Sequence, residues 1–452
     1  MAVEQLRVEG GAAGSAALPG GVPGAGRVST RRALRVLVGW SPWSAAAVAV
    51  AAMLSIPILV VGAGALTPAG GVWTHLASTV LPEYLRNSAI LAVGAGGLAL
   101  LIGVTAAWLV ATCDFPGRRV LEWALVLPLS MPAYIAAYTW AGILDMTGPV
   151  QRAMRAFVPG MADAYYSLPI LRIETAVVLF ALVLYPYVYL MARAAFLGQS
   201  RAALEAARTL GEGGWQTFRR VALPLARPAL AAGVSLVVME ILNDYGAVSY
   251  FGVPTFTTGI FRSWHALGDL EAAVRLAAFL MLFVLVVLLI ERTQRGRRRV
   301  DTARATHRPL LRTKLRGWRA WIAFAVCFTP VLLGFLLPVA QLGSWAARTA
   351  ADVVDASYLR LLKNSFLLAA GAGLLCVVLS LLLAYAARLS RGRVTTTANR
   401  IAALGYSIPG AVVAVGVIVP FGWIDRTIDT AARASFDVST GLILSGTLVA
   451  VV

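Results

Sequence analysis

EAARTLGEGGWQTFRRVALP occupies residues 205–224, between two long apolar runs. The stretch keeps a fixed internal spacing. Glu205-Ala206-Ala207 is followed after three residues by Gly211, after nine more by Val221, and then by Leu223-Pro224. Ser200 suits a helix N-cap, and RAALEAARTL after it is made of strong helix formers. Gly211 predicts a stop and Gly213-Gly214 a sharp turn. A second short helix is expected from Trp215, ended by Pro224 before the next apolar run. Ala206 and Ala207 give the first helix a small-residue face. What such a pair of helices does depends on the chain around it.

The surrounding chain has 452 residues, 59% hydrophobic and 13% charged, where soluble domains carry about 25% charge. Its apolar runs exceed the ~20 residues needed to cross a bilayer, so it reads as an all-α polytopic membrane protein. Residues 1–43, rich in Gly, Ala and Pro, read as a disordered tail. Spans are expected at about 44–66, 87–112, 120–143, 174–198, 229–250, 272–291, 320–344, 364–388 and 401–420, with a further run starting near Thr440. The formal net charge of +18 is almost all Arg, clustered in alternate short loops, which excludes a nucleic-acid reading in favour of positive-inside topology. With the tail inside, the inner loops hold Arg118 and Arg119, five Arg between 199 and 228, eleven Arg or Lys in 292–319, and Arg388, Arg391, Arg393 and Arg400. The outer loops carry acids such as Asp145, Asp163, Asp269, Asp352, Asp425 and Asp429. The 205–224 lever therefore faces the cytoplasm. The basic run 292–319 reads as a cytoplasmic linker that sets topology rather than as a lipid or nucleic-acid patch. Cys113, Cys327 and Cys376 share no disulfide or metal spacing and read as small core residues.

The chain repeats itself. NSAILAVGAG at 87–96 returns as NSFLLAAGAG at 364–373, and Ser130 and Pro132 return as Ser407 and Pro409, all at an offset of 277 residues. The two copies share orientation, so the duplication is parallel, of the kind related by an axis along the membrane normal. Its Gly, Ala and Ser residues suit close helix packing, and the prolines within spans read as kinks.

The EAA–Gly–Val221–Leu223-Pro224 spacing resembles the EAA loop of permease subunits of binding-protein-dependent ABC transporters. MEILNDYG at 239–246 and SYFGVPTFTTGIFRSW at 249–264 look like the ferric-iron permeases of that superfamily, which are fused proteins with two six-span halves. The resemblance implies a type I importer (MetI-like) fold: a first permease unit at 44–291 with its EAA loop at 200–228, and a second, incomplete unit at 320–452. Glu205, Ala206, Ala207, Gly211, Val221, Leu223 and Pro224 would then form the docking loop for a cytoplasmic ATPase dimer. An extracytoplasmic iron-binding protein would deliver the cargo in a bacterial inner membrane. The second half stops before its own EAA loop is due, so the sequence is expected to be partial.

Glu240 and Asp244 are four residues apart in the fifth span and share a helix face. Counted at 1.5 Å per residue from Ala229, they lie roughly 17 and 23 Å in. Ionisable groups in the bilayer are costly and point to function, and carboxylates suit a hard cation such as ferric ion. They are expected to line a cation path, with Asn243 and Tyr245 near its outer mouth. The alternatives are that Asp244 caps a broken helix end before Gly246 and that Glu240 bonds a neighbouring helix. His75, His265 and His307 share no metal-ligand spacing, so no metal site is assigned. Lys314 and Lys363, the only lysines, lack a phosphate-binding glycine loop; no bound cofactor is expected and ATP belongs to the partner. The function expected is therefore ferric-iron permeation by alternating access, without enzymatic chemistry. Thiamine, sulfate or polyamine cargo is the alternative in the same class, and a secondary transporter the alternative outside it.

Overall fold

The computed structural model describes residues 41–66, 71–145, 148–157, 171–198, 211, 213–295, 312–390, 392–405, 408–439 and 441. Among them eight helices are long and apolar enough to cross a membrane, and nine if one sharply bent pair counts as a span. The helices are α1 (Pro42–Gly64), α2 (Gly71–Thr79), α3 (Leu81–Thr112), α4 (Arg118–Ala124), α5 (Ala133–Leu144), α6 (Pro149–Phe157) and α7 (Ile173–Gly198). They continue with α8 (Gly214–Asn243), α9 (Gly246–Tyr250), α10 (Phe256–Phe261), α11 (Leu270–Arg295) and α12 (Trp318–Val353). The last three are α13 (Ala356–Leu389), α14 (Arg393–Leu404) and α15 (Gly410–Phe436). The only non-helical pairing described is a two-residue parallel ladder, β1 (Cys113–Asp114) with β2 (Thr313–Lys314), which ties the far end of the linker to the end of α3.

The core is built around α7. Lipid supplies no hydrophobic drive for helix association, so close packing must hold the bundle. Tyr185, Tyr189, Phe180 and Phe196 of α7 are fully buried. Its Val188 is clasped from two sides by glycines. A Cβ on Gly103 of α3 would lie 2.8 Å from Val188 Cβ, and one on Gly233 of α8 would lie 3.0 Å from Val188 Cα. Three helices approach at backbone distance because two side chains are missing.

Near the β1 end of α3, charged groups are paired. Arg118 is buried and bonds Glu122 at 3.0 Å; Arg193 of α7 also reaches Glu122, and Tyr189 donates to the Glu122 carbonyl at 2.9 Å.

The first helix of each half crosses to the other. α1 packs on α13, α14 and α15 as well as on α11; a Cβ on Gly416 of α15 would sit 2.7 Å from Pro57 Cα of α1. In return α12 lies on α3, α4, α5 and α7. Trp345 packs where a Cβ of Gly142 would be, and Trp140 Nε1 donates to the Leu333 carbonyl at 3.1 Å.

The repeat is visible as geometry. α5 and α15 each start after a proline with nearly equal backbone angles, φ −57° and ψ 136° at Pro132, φ −57° and ψ 139° at Pro409. The surroundings of the copies differ. Asn87 and Ser88 are buried, and a Cβ on Gly94 or Gly96 would meet Val177 at 3.1 Å or Val238 at 3.4 Å. Asn364 and Ser365 are exposed, and Gly371 and Gly373 meet nothing within 4 Å.

Several expectations need correction. The run 120–143 is no straight span: α4 and a 3-10 turn (Leu127–Ser130) lead into α5 across a 95° bend at Met131-Pro132. The last span among the described residues is α15, starting only after Pro409, because residues 393–404 form the separate α14. Asp425 and Asp429, read as loop acids, therefore lie on α15, where Asp425 is buried and Asp429 pairs with Arg433 at 2.8 Å. Of the cysteines, Cys327 is buried but Cys376 is exposed on α13. The tail 1–40, the linker residues 296–311, and Thr440 with 442–452 lie outside the described residues.

Candidate functional site

Glu205, Ala206 and Ala207 also lie outside the described residues. Gly211 has φ +86°, the left-handed conformation that a helix-stopping glycine adopts at least cost. From Gly214 the expected short helix does not stop. Pro224 fails to end it, and α8 runs unbroken to Asn243. The reason is a π-helical turn at Phe218–Ala222, in which the Leu223 N–H reaches the Phe218 carbonyl. A proline lacks a donor and crowds the carbonyl one turn back; widening that turn by one residue accommodates both. Val221, Leu223 and Pro224 thus sit on one rod with the span.

The rod is held by aromatic rings that the sequence reading did not single out. Phe218 lies 5.0 Å from Trp108 of α3, 6.3 Å from Phe196 of α7 and 5.4 Å from Trp215, centroid to centroid, and Trp108 and Phe196 meet edge-on at 5.3 Å. Such pairs add about 0.5–1.5 kcal/mol each beyond burial. The only sequence signal was two aromatics, Trp215 and Phe218, in a largely polar stretch.

At its other end α8 breaks. Asp244 is the C-cap, one turn above Glu240 with its N–H on the Glu240 carbonyl at 3.0 Å, and its ψ of 130° turns the chain out of the helix after it. Its Oδ1 accepts from the N–H groups of Ala247 at 2.8 Å and Val248 at 3.2 Å, capping α9, and its carbonyl accepts from the Thr257 hydroxyl at 2.7 Å. Asn243 Oδ1 accepts from the Gly410 N–H at the start of α15, which joins the break to the second half. Glu240 and Tyr245 are exposed, and the Tyr245 ring lies 4.4 Å from Phe261. Asn87 donates to the Pro254 carbonyl at 2.9 Å, so the repeated Asn-Ser pair of α3 supports the segment after the break. The four candidates therefore gather around one interruption.

Beside it opens a cavity of about 410 Å³, between the start of α3 and residues 245–266. Tyr84, Tyr245, Arg262 and His265 contribute to its wall. Of these, the sequence singled out Tyr245 as a pathway residue and considered His265 only as a poor metal ligand. Trp108, beside the rod, and Tyr84 are 24 residues apart on α3, or about 36 Å, so rod and cavity lie at opposite ends of the bundle.

A duplicated, all-α, polytopic membrane protein, with a rigid arm running into one span and a broken helix at the arm's far end, is the class that this architecture defines. Residues 99–300 match the family model of the binding-protein-dependent transport system inner membrane component, and the fold is that of a MetI-like type I importer permease. The chain is 25% identical over 344 residues to the "Fe(3+)-transport system permease protein FbpB 2" of Haemophilus influenzae, covering 75% of this chain and 63% of that protein. It is 28% identical over 220 residues to the "Molybdenum transport system permease protein ModB" of Escherichia coli, covering 46% of this chain and 92% of that protein. With the "Sulfate transport system permease protein CysW" of Escherichia coli it shares 29% over 219 residues, 47% of this chain and 72% of that protein. The chain spans less than two thirds of the length of the first of these relatives.

Proposed function

We propose that the chain is the membrane permease subunit of an ABC importer in a multi-pass inner-membrane setting, and that it moves ferric iron inward. The observation that carries the importer reading is the arm. The residues from Val221 to Pro224, at the spacing of the EAA motif, are continuous with the span that ends at Asn243. A displacement imposed on the motif by an ATPase dimer would reach the break at Asp244 without a flexible joint. Iron is favoured because the ferric permease relative aligns over 75% of the chain. Molybdate or sulfate is the second reading, favoured by ModB, of which this chain covers 92%. The charge pattern supports an orientation with the tail and the docking loop inside, and hence the break near the outer side. A binding protein would deliver cargo there.

The test is ATP-dependent uptake of radiolabelled ferric iron, molybdate and sulfate by cells expressing the full-length chain with its co-purifying ATPase and binding protein. Iron uptake that falls about tenfold or more in Glu205→Lys supports the reading. Uptake that persists without any ATPase overturns it.

A further inference from the structure

The described residues contain three π-helical turns, and two have an evident local cause. Phe218–Ala222 precedes Pro224 and Leu332–Leu336 precedes Pro338, each proline standing two residues beyond the turn. The third, Arg262–Ala266, is followed by Leu267-Gly268 and has no proline to accommodate. Single π turns without such a cause are concentrated at functional sites, because the extra residue re-aims side chains. Here the turn contributes Arg262 and His265 to the wall of the 410 Å³ cavity.

The chemistry of that wall is one-sided. Tyr84, Tyr245 and Ser249 supply hydroxyls, Arg262 supplies a permanent cation, and His265 an imidazole. Each can donate a hydrogen bond to an oxygen ligand, and the guanidinium fork matches carboxylate and other oxyanions bidentately. Rings stiffen the wall: His265 stacks 4.3 Å from Trp264 and lies parallel to Phe261 at 6.0 Å. Tyr84 is buried because α10 carries Gly259 at its ring, where any Cβ would collide with the phenol.

We infer that this cavity is an oxyanion site at the mouth of the pathway, so the cargo arrives carrying negatively charged oxygens. This rests on the importer reading and narrows its substrate class. The oxyanion has two possible sources: the cargo itself, as molybdate or sulfate, or a carboxylate ligand that accompanies a ferric ion as a chelate. In either case Arg262 engages the anion, and the hydroxyls and ring walls orient it beside the break at Asp244.

The full-length chain in phosphatidylcholine nanodiscs, at constant ionic strength in chloride, is titrated calorimetrically with sulfate, molybdate, ferric citrate and metal-free citrate. At least one of these is expected to bind. Arg262→Gln should weaken that binding at least about tenfold, equivalent to about 1.4 kcal/mol, while Arg262→Lys, which keeps the charge but loses the fork, should weaken it less. Preference for sulfate or molybdate identifies the cargo as the anion; preference for ferric citrate over citrate identifies a chelate. A second readout keeps the test open should Arg262→Gln fold poorly. Binding to the wild type should change the fluorescence of Trp264, seen as a signal that Trp264→Phe lacks. Absence of binding by all four probes, Arg262→Gln binding as tightly as wild type, or binding without the Trp264 signal each overturn the inference. ATP-driven uptake without oxyanion binding would sink this site and leave the importer standing; binding without ATP-driven uptake would do the reverse.

Discussion

Gly103 and Gly97 lie on the same helix, yet only the first is enclosed. A Cβ at 103 would press within 2.8–3.0 Å of Val188 Cβ, the Tyr189 nitrogen and the Tyr185 carbonyl, two of them backbone atoms that cannot swing away. At Gly97 nothing lies within 4 Å. Gly103→Ala should destabilise the detergent-solubilised chain by about 1–3 kcal/mol, the range for overpacking, read as a lower thermal midpoint. Gly97→Ala should leave the midpoint unchanged. Asp244 permits a comparable separation of roles. If its work is the cap on α9, Asp244→Asn keeps an accepting oxygen and should retain stability and uptake, while Asp244→Ala loses about 1 kcal/mol. Uptake abolished by Asn as fully as by Ala would instead assign the work to the charge.

At the scale of elements, the arm and its aromatic seat form the coupling device of the proposed importer. Phe218→Ala removes the ring common to the contacts with Trp108, Phe196 and Trp215. The expected result is uncoupling: the assembled ATPase still hydrolyses ATP while uptake falls several-fold. Trp215→Ala, at a ring that is 71% exposed, should change stability little. The apolar runs were readable because a bilayer demands length and composition, and these are local properties. The bend at Pro132 was not readable as an angle, since α5 is held by Trp345 and by the Leu333 carbonyl, about two hundred residues away in sequence. Pro224 misled for the converse reason. A proline normally ends a helix, but a one-residue widening of the preceding turn absorbed it. Of the site, Asn243, Asp244 and Tyr245 were legible as polar residues in an apolar run. Arg262 was not, because its cavity exists only where Gly259 admits Tyr84 from far earlier in the chain.

For the whole molecule, the crossing of α1 and α12 means that neither half is covered without the other. Residues 1–300 expressed alone would leave bare the surfaces of α4, α5 and α7 that α12 covers. That fragment should be poorly stable in detergent, and a tagged 301–452 fragment expressed with it should co-purify and raise its thermal midpoint. Failure of the two pieces to associate would show that the crossed contacts contribute little. The crossing also dictates an order of manufacture. α1 is the first of the described helices to emerge from the ribosome, yet the faces of α14 and α15 that receive it are made more than three hundred residues later. At about 5–20 residues per second, this helix waits in the membrane for tens of seconds before its seat exists. The earliest of the described helices thus completes its packing late, so synthesis of this protein includes an interval in which an inserted span must be sheltered by lipid or by the insertion machinery.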